Sequence, residues 1–365
     1  VFSLGFYSMP RFRALLTPGV IRAVNLLFGL ALAGTILPHQ LDFPDRVAGF
    51  PLYQPTHTLV AHLPLLFLIL LMPVLWLDFE LCLQRLTAQP ARPATLAGAF
   101  TLAATFLLLM IFAHVFTTVY DYIPVIGPIF RDAFWAVHAT LGLILVLAVW
   151  VLNESGQQDW IRAGSVFQHW VSALLLVSLA SSAVVLWPSP IQAPLGNGES
   201  RLRVLTYNIQ QGFDRRGEYN IDGQLALMQA WDPDVIGLQE SGTNRISGGN
   251  HDVVRYYAER LGMHAYYGPK TVSGTFGIAL LSRYPINQPE TFCMYSEGEQ
   301  TAAVRAEIVV GRQLIHVFVT HLGNEGPLIQ QRQFLAETRG EPYLLAMGDF
   351  NFEPGSVQYD MTMEQ

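Results

Sequence analysis

The chain holds a single lysine, Lys270, among 21 basic residues, against 28 acidic ones, for a formal net charge of −7. Charged residues make up only 13% of its 365 positions, about half the roughly 25% of a soluble globular protein, whereas 51% are hydrophobic. That bias calls for membrane segments. The two cysteines, Cys82 and Cys293, lie in different halves, so neither a disulfide framework nor a cysteine metal cluster is read from them. A signal peptide with its cleavage site, internal repeats and low-complexity tracts are all missing. The first residue is Val1 rather than methionine, so a preceding segment is expected.

The apolar residues are concentrated in the first half. Five runs, 19–37, 58–77, 94–119, 134–152 and 166–187, are each about long enough to cross a hydrocarbon layer of ~30 Å. Examples are LPLLFLILLMPVLWL at Leu63–Leu77 and LGLILVLAVWVL at Leu141–Leu152. One such run alone is equally a buried core helix; five in succession, joined by short polar connections, read as a membrane domain over 1–187. Trp150, Trp170 and Trp187 fall near run ends, where interfacial anchors sit. Arg11, Arg13 and Arg22 precede or begin the first run, Arg85 and Arg92 follow the second, and Arg162 follows the fourth. Only Arg46 and Arg131 lie in the alternate loops. The positive-inside rule then puts the N-terminus in the cytoplasm and, with five crossings, the C-terminal half outside it. His62, His114, His138 and His169 lie in or beside the runs; a neutral histidine satisfied by a neighbouring helix is the plainer reading of each. Asp121 and Asp132 bracket YDYIPVIGPIFRD, a re-entrant loop or a tight connection.

PSPIQAPLGNGES at 188–200 is rich in proline, glycine and serine and marks the boundary to a second domain, 201–365. Strand-like and helix-like patterns mix there. Gly223–Trp231 reads as a helix stopped by Asp232-Pro233, His251–Leu261 as a helix stopped by Gly262, and Leu328–Thr338 as a helix after Pro327. Gly277–Arg283 reads as a buried strand, and Ala303–Val310 with Leu314–Thr320 as a hairpin around Gly311-Arg312. Periodicity alone says α and β mixed.

Four strand-like runs end in chemistry. LRVLTYN ends in Asn208, DVIGLQES contains Glu240 past its strand, QLIHVFVTHLGN carries His321 and Asn324, and LLAMGDFNFEPGS at Leu344–Ser356 carries Asp349 and Asn351. Residues two apart in an extended segment share a side, so Asp349 and Asn351 are expected to face one point. A carboxylate and a carboxamide there suit a hard divalent cation and a phosphate, and Asp349 is placed to orient a water. Taken singly, GDFN is equally a turn, Asn208 a strand-end cap, Glu240 a solvated carboxylate and His321 an exposed loop histidine. As a set they point to phosphodiester hydrolysis, with Glu240 the leading metal ligand and Asn208 holding metal or water.

This set, TYN, LQE, the histidine and GDFN in order, resembles the endonuclease/exonuclease/phosphatase superfamily of metal-dependent phosphodiesterases. The resemblance covers roughly 201–365. It implies a two-sheet α+β sandwich with helices outside, Mg²⁺ or Mn²⁺ as cofactor, Asp349 orienting or deprotonating the attacking water, and Asn351 supporting the phosphate. It implies further that His321 contacts the scissile phosphate and that Asn324 binds the same group. Family members carry a Ser-Asp-His run well after GDFN, whereas this chain stops at Gln365. The domain is therefore expected to lack its closing strands, to expose sheet edges and to be poorly active as it stands.

Residues 201–365 hold 13 basic and 19 acidic residues, which argues against a nuclease. Attachment to membrane spans favours a lipid-linked phosphodiester. RISGGNHDVVRYY at Arg245–Tyr257, YYGPKTVSGTFGIALLSRYPI at 266–286 and FTTVYDYIPVIGPIFRD at 116–132 resemble the GPI-anchor lipid-remodelling proteins, membrane spans followed by a phosphodiesterase-like domain. That resemblance implies a lumenal or extracytoplasmic domain and a lipid or lipid-linked substrate, with Arg245, Asn250 and Lys270 near an anionic head group. An inactive lipid-recognition module, a membrane partner whose spans matter most, and a nuclease stand as alternatives.

Overall fold

A computed structural model of the chain describes residues 15–55, 59–88, 92–118, 134–152, 165–186, 201–242, 251–269, 277–297 and 300–365. It forms two compact units: one takes 1–40, 57–113 and 133–188, the other 41–56, 114–132 and 189–365. The loop 41–56, which sequence reading left inside the membrane domain, thus belongs with the C-terminal unit.

The first unit is helical. Helix α1, Pro18–Gly34, starts at a proline that needs no N–H partner, with Val20 N–H donating to the Thr17 hydroxyl at 3.3 Å. Helices α2, Leu63–Leu71, and α3, Pro73–Ala88, replace the single run expected over 58–77. They meet at a 41° bend, because Pro73 lacks the N–H that would continue the ladder. Helices α4, Pro93–Thr118, α5, Phe134–Leu152, and α6, Ser165–Leu186, complete it. Ile21, Phe28, Val74, Leu77, Leu81 and Val149 form its core. Among the described residues, Pro18–His39 and Pro93–Phe112 are long and apolar enough to cross a membrane, and the bent α2–α3 pair would make a third. The described apolar parts of α5 and α6, His138–Val151 and His169–Val184, are shorter. Among the described residues, two or three qualifying spans thus stand beside the five that sequence reading expects.

The second unit is a four-layer sandwich, helices–sheet–sheet–helices. One sheet has the order β2-β3-β5-β4, from β2, Val204–Asn208, β3, Val235–Gln239, β4, His264–Tyr267, and β5, Ala279–Ser282. The other has the order β1-β6-β7-β8-β9, from β1, Leu52–Tyr53, β6, Asn287–Cys293, β7, Ala302–Val310, β8, Gln313–His321, and β9, Leu344–Asp349. Pairs β2/β3 and β8/β9 are parallel; the rest are antiparallel. Val235, Leu280, Val304, Val317, Val319 and Met347 fill the space between the sheets. Helices α7, Ile221–Trp231, and α8, Val253–Leu261, cover the outer face of the first sheet through Met228, Val254 and Tyr257. Helices α9, Leu328–Thr338, and α10, Val357–Met363, cover the second through Phe334, Leu335 and Met361.

The helices end where side-chain chemistry ends them. Asn220 and Asp252 accept N–H bonds from Gly223 and Arg255 at 3.0 and 3.1 Å, and Asp232 and Gly262 close the helices with left-handed φ of 47° and 62°. At the end of β3 remote from the site, buried Asp234 accepts from Arg203 N–H at 2.8 Å and from the Arg283 guanidinium at 3.2 Å, while Asp232 also binds Arg283. The resulting architecture agrees with the two-sheet α+β sandwich that the superfamily resemblance implies.

Candidate functional site

Parallel pairing aligns strand ends, and in both parallel pairs those ends carry the polar residues. Asn208 pairs in register with Gln239, so Glu240 stands one step beyond it. His321 pairs in register with Asp349. Two strand ends from each sheet therefore present Asn208, Glu240, His321 and Asp349 together. The Asn208 carboxamide joins the sheets: its Nδ2 donates to Glu240 Oε1 at 2.8 Å and to Asp349 Oδ2 at 3.0 Å. Its Oδ1 accepts from Gln210 N–H at 3.0 Å.

The backbone around these groups is tightly turned. Gln210, Gln211 and Glu240 have φ of 47°, 57° and 50°, in the left-handed region that non-glycine residues seldom enter. Ile209 N–H donates to Gln239 O at 3.1 Å and Gln211 N–H to Glu240 O at 3.0 Å, so the turn after β2 is stitched to the end of β3. Such strain concentrates at functional sites. Gly348 lets β9 approach β8: a Cβ there would lie 2.3 Å from Thr320 O. That approach delivers Asp349 to its place.

Asn351 departs from its expected geometry. Its φ is +53°, so the chain is not extended and the alternation that would put Asn351 beside Asp349 does not apply. Its N–H instead donates to Asp349 Oδ1 at 3.1 Å, an Asx-type turn, and its Nδ2 donates to Leu322 O at 2.8 Å. It braces Asp349 and the segment after His321. Asn324 is exposed in the turn before α9. Arg245, Asn250 and Lys270 lie outside the described residues, as do Asp121 and Asp132.

His321 is half-buried. Burial pulls its imidazole below the usual range, while the charges of Asp349 and Glu240 pull it back. At neutral pH it is an uncharged ring. Among the described residues, no group of three or more His, Cys, Asp or Glu is arranged to hold a metal. The site instead offers the carboxylates of Glu240 and Asp349, both hard oxygen donors, while the Asn208 carboxamide turns Nδ2 to them and Oδ1 to Gln210 N–H. Two carboxylates suit a hard divalent cation that keeps water and phosphate as its other ligands.

Sequence reading missed the support from α9. Gln330 is buried; its Oε1 accepts from Gly323 N–H at 2.8 Å and its Nε2 donates to Tyr295 O at 3.2 Å, which holds the turn after His321. The signal was present as Gln330, Gln331 and Gln333, three glutamines that a solvent-facing helix stripe would not need and that are all buried.

Residues 200–340 match the family described as PGAP2IP, C-terminal nuclease-like domain. Protein cwh43 of Schizosaccharomyces pombe is 39% identical over 100 residues, 27% of this chain and 10% of that protein, so the chain spans about a tenth of this curated relative's length. Among solved structures, an endonuclease/exonuclease/phosphatase from Beutenbergia cavernae aligns over 45% of this chain and 53% of its own, at 20% identity and a TM-score of 0.37. The human Nocturnin catalytic domain, solved with a bound sulfate anion, aligns over 44% and 68%, at 20% identity and a TM-score of 0.33. The part of the resemblance carried by TYN, LQE and the histidine thus reappears as a match to a nuclease-like family, whereas GDFN lies beyond the matched residues; the likeness to cwh43 accompanies it.

Proposed function

We propose that this protein is a membrane-tethered, metal-dependent phosphodiesterase acting on a lipid-linked phosphodiester, in GPI-anchor or related lipid remodelling. The observation that carries the hydrolytic part is the Asn208 amide held between Glu240 and Asp349, with His321 beside Asp349 in register. A donor bridging two carboxylates occupies the kind of position a cation takes. Glu240 would hold Mg²⁺ or Mn²⁺ through its carboxylate, and Asn208 through Oδ1 once its carboxamide gives up the bond from Gln210 N–H. When bound, the ion neutralises charge on the phosphoryl oxygens and the leaving group. Asp349 keeps lone pairs free beyond its bonds to Asn208 and Asn351 N–H, and these orient the attacking water and accept its proton. Neutral His321 donates to the phosphate, and Asn351 with Asn324 supports the segment that receives it. Water oxygen bonds to phosphorus, one ester P–O bond breaks, the departing alkoxide takes a proton from solvent, and Asp349 returns to solvent the proton it accepted.

The tether rests on the apolar helices. Phe100 and Leu102 on α4 are 73% and 72% exposed, and Leu66, Phe67, Ile69 and Leu70 on α2 are exposed as well. Helices apolar on every side need an apolar solvent. The acidic balance of 201–365 disfavours nucleic acid, and the resemblance to GPI-anchor lipid-remodelling proteins favours lipid. The test is turnover by the full-length protein in membranes with Mg²⁺, on an inositol phospholipid, sphingomyelin and single-stranded DNA. Lipid-selective turnover is expected. Turnover on DNA alone would replace this reading with a nuclease, and metal binding without turnover would replace it with a lipid-recognition module.

A further inference from the structure

The loop between α1 and α2 builds part of the C-terminal sandwich. Leu52 and Tyr53 pair antiparallel with Cys293 and Phe292, and Gln54 N–H extends the ladder to Thr291 O at 2.9 Å. This covers the outer edge of β6, which would otherwise present unpaired backbone groups. The two residues serve opposite faces of the sheet, as strand alternation requires. On one face Leu52 packs into the core between the sheets, with Cys293 and with Leu41, Phe43 and Phe50 of the same loop. On the other, Tyr53 lies against Phe292 at 5.7 Å, and its hydroxyl donates to Glu337 on α9. The Arg305 guanidinium stands 5.8 Å above the Tyr53 ring and is fixed by Glu290 at 2.9 Å. Burial and the Glu337 bond push the Tyr53 phenol up to about 12, so it remains a donor at any physiological pH.

We infer that loop 41–56 is an obligatory strand of the C-terminal domain, so that loop and domain lie on one side of the membrane and residues 57–187 cross it an even number of times. The inference rests on the membrane reading for its topological half only. Strand pairing and a shared core cannot form across a layer of ~30 Å. Taking the apolar sequence runs 94–119, 134–152 and 166–187 as one crossing each for α4, α5 and α6, an even count requires that the bent α2–α3 pair cross once. Two separate crossings, or a re-entrant loop at Met72, would make the count odd. The side is set by α1: the arginines before it favour the cytoplasm, which puts loop and domain outside.

The test uses the full chain with Cys82→Ala and a protease site inserted in 188–200. Leu52→Cys is oxidised against native Cys293, and Tyr53→Cys against Phe292→Cys; both pairs are directly opposed. After cleavage, the two fragments are expected to stay joined on a non-reducing gel, whereas Val47→Cys, exposed in the same loop, leaves them separate. In sealed vesicles an impermeant maleimide is then applied to Val47→Cys and, separately, to Arg312→Cys in the exposed β7–β8 turn. Native Cys293 stays silent, being fully buried. Both sites are expected to label from the same side. Separation of the fragments in both cysteine pairs, or labelling from opposite sides, would overturn the inference. A protein that does not sediment with membranes but still cross-links would instead overturn the membrane tether while upholding the strand.

Discussion

Replacing Asn208 by alanine removes the one group that holds two carboxylates together. Glu240 Oε1 and Asp349 Oδ2 both touch Asn208 Nδ2, at 2.8 and 3.0 Å, so they lie no more than about 5.8 Å apart. At an effective dielectric of about 20, two unit charges at that separation repel by roughly 3 kcal/mol. A hydrogen bond to a charged group contributes about 1.5–3 kcal/mol, and two are lost. Both side chains are only half-buried and relax toward water, so we expect a net loss of about 2–4 kcal/mol. With a urea slope of about 2 kcal/mol/M, the midpoint should fall by about 1–2 M. Pulse proteolysis in urea, followed through a C-terminal tag, reads this domain apart from the helices. The deficit should be largest in chelator and smaller with Mg²⁺, because a bound cation takes over the neutralisation. A loss below about 0.5 kcal/mol in chelator would refute the amide bridge as a structural element of the site.

Other expectations follow from the same geometry. Asp234→Ala leaves the buried Arg283 guanidinium short of a partner and should cost about 3–5 kcal/mol by urea unfolding; a cost below about 1 kcal/mol would contradict the buried pair. Gly348→Ala drives a Cβ into Thr320 O, so it should destabilise by about 1–3 kcal/mol and depress turnover by displacing Asp349; unchanged unfolding would contradict the close approach. His321 should titrate below 6.5 in metal-free protein by histidine NMR. Because its folded value is depressed, it favours the fold above the unfolded value, and that contribution is lost as pH falls through the folded one. A His321 value above 6.5 would show that the carboxylates outweigh burial.

What the sequence makes legible here follows the range of the interaction. Helix α9 runs from Leu328 to Thr338 as read, because Pro327 and an apolar pattern mark it locally. The strand ends bearing Asn208, Glu240, His321 and Asp349 are likewise set by apolar runs and breakers, and their convergence came from the family resemblance, not from periodicity. Strand β6 escaped notice: Pro289 interrupts it, and a bulge between Asn287 and Glu290 breaks its alternation. Strand β1 is two residues flanked by Pro51 and Pro55, and nothing within FPLYQP announces a partner 240 positions away. Asn351 shows the converse error, since an alternation valid for a strand was carried one step into a left-handed turn.

The most direct test of the account is Mg²⁺-dependent hydrolysis of an inositol phospholipid by the full-length protein beside its Glu240→Ala variant, at matched folding by pulse proteolysis. Turnover in the parent that chelator abolishes is expected, with a loss of at least about 10–100-fold in the variant, since losing groups that only support metal ligands already costs that much. Turnover that survives both chelator and Glu240→Ala would place the chemistry elsewhere and contradict the assignment of this site.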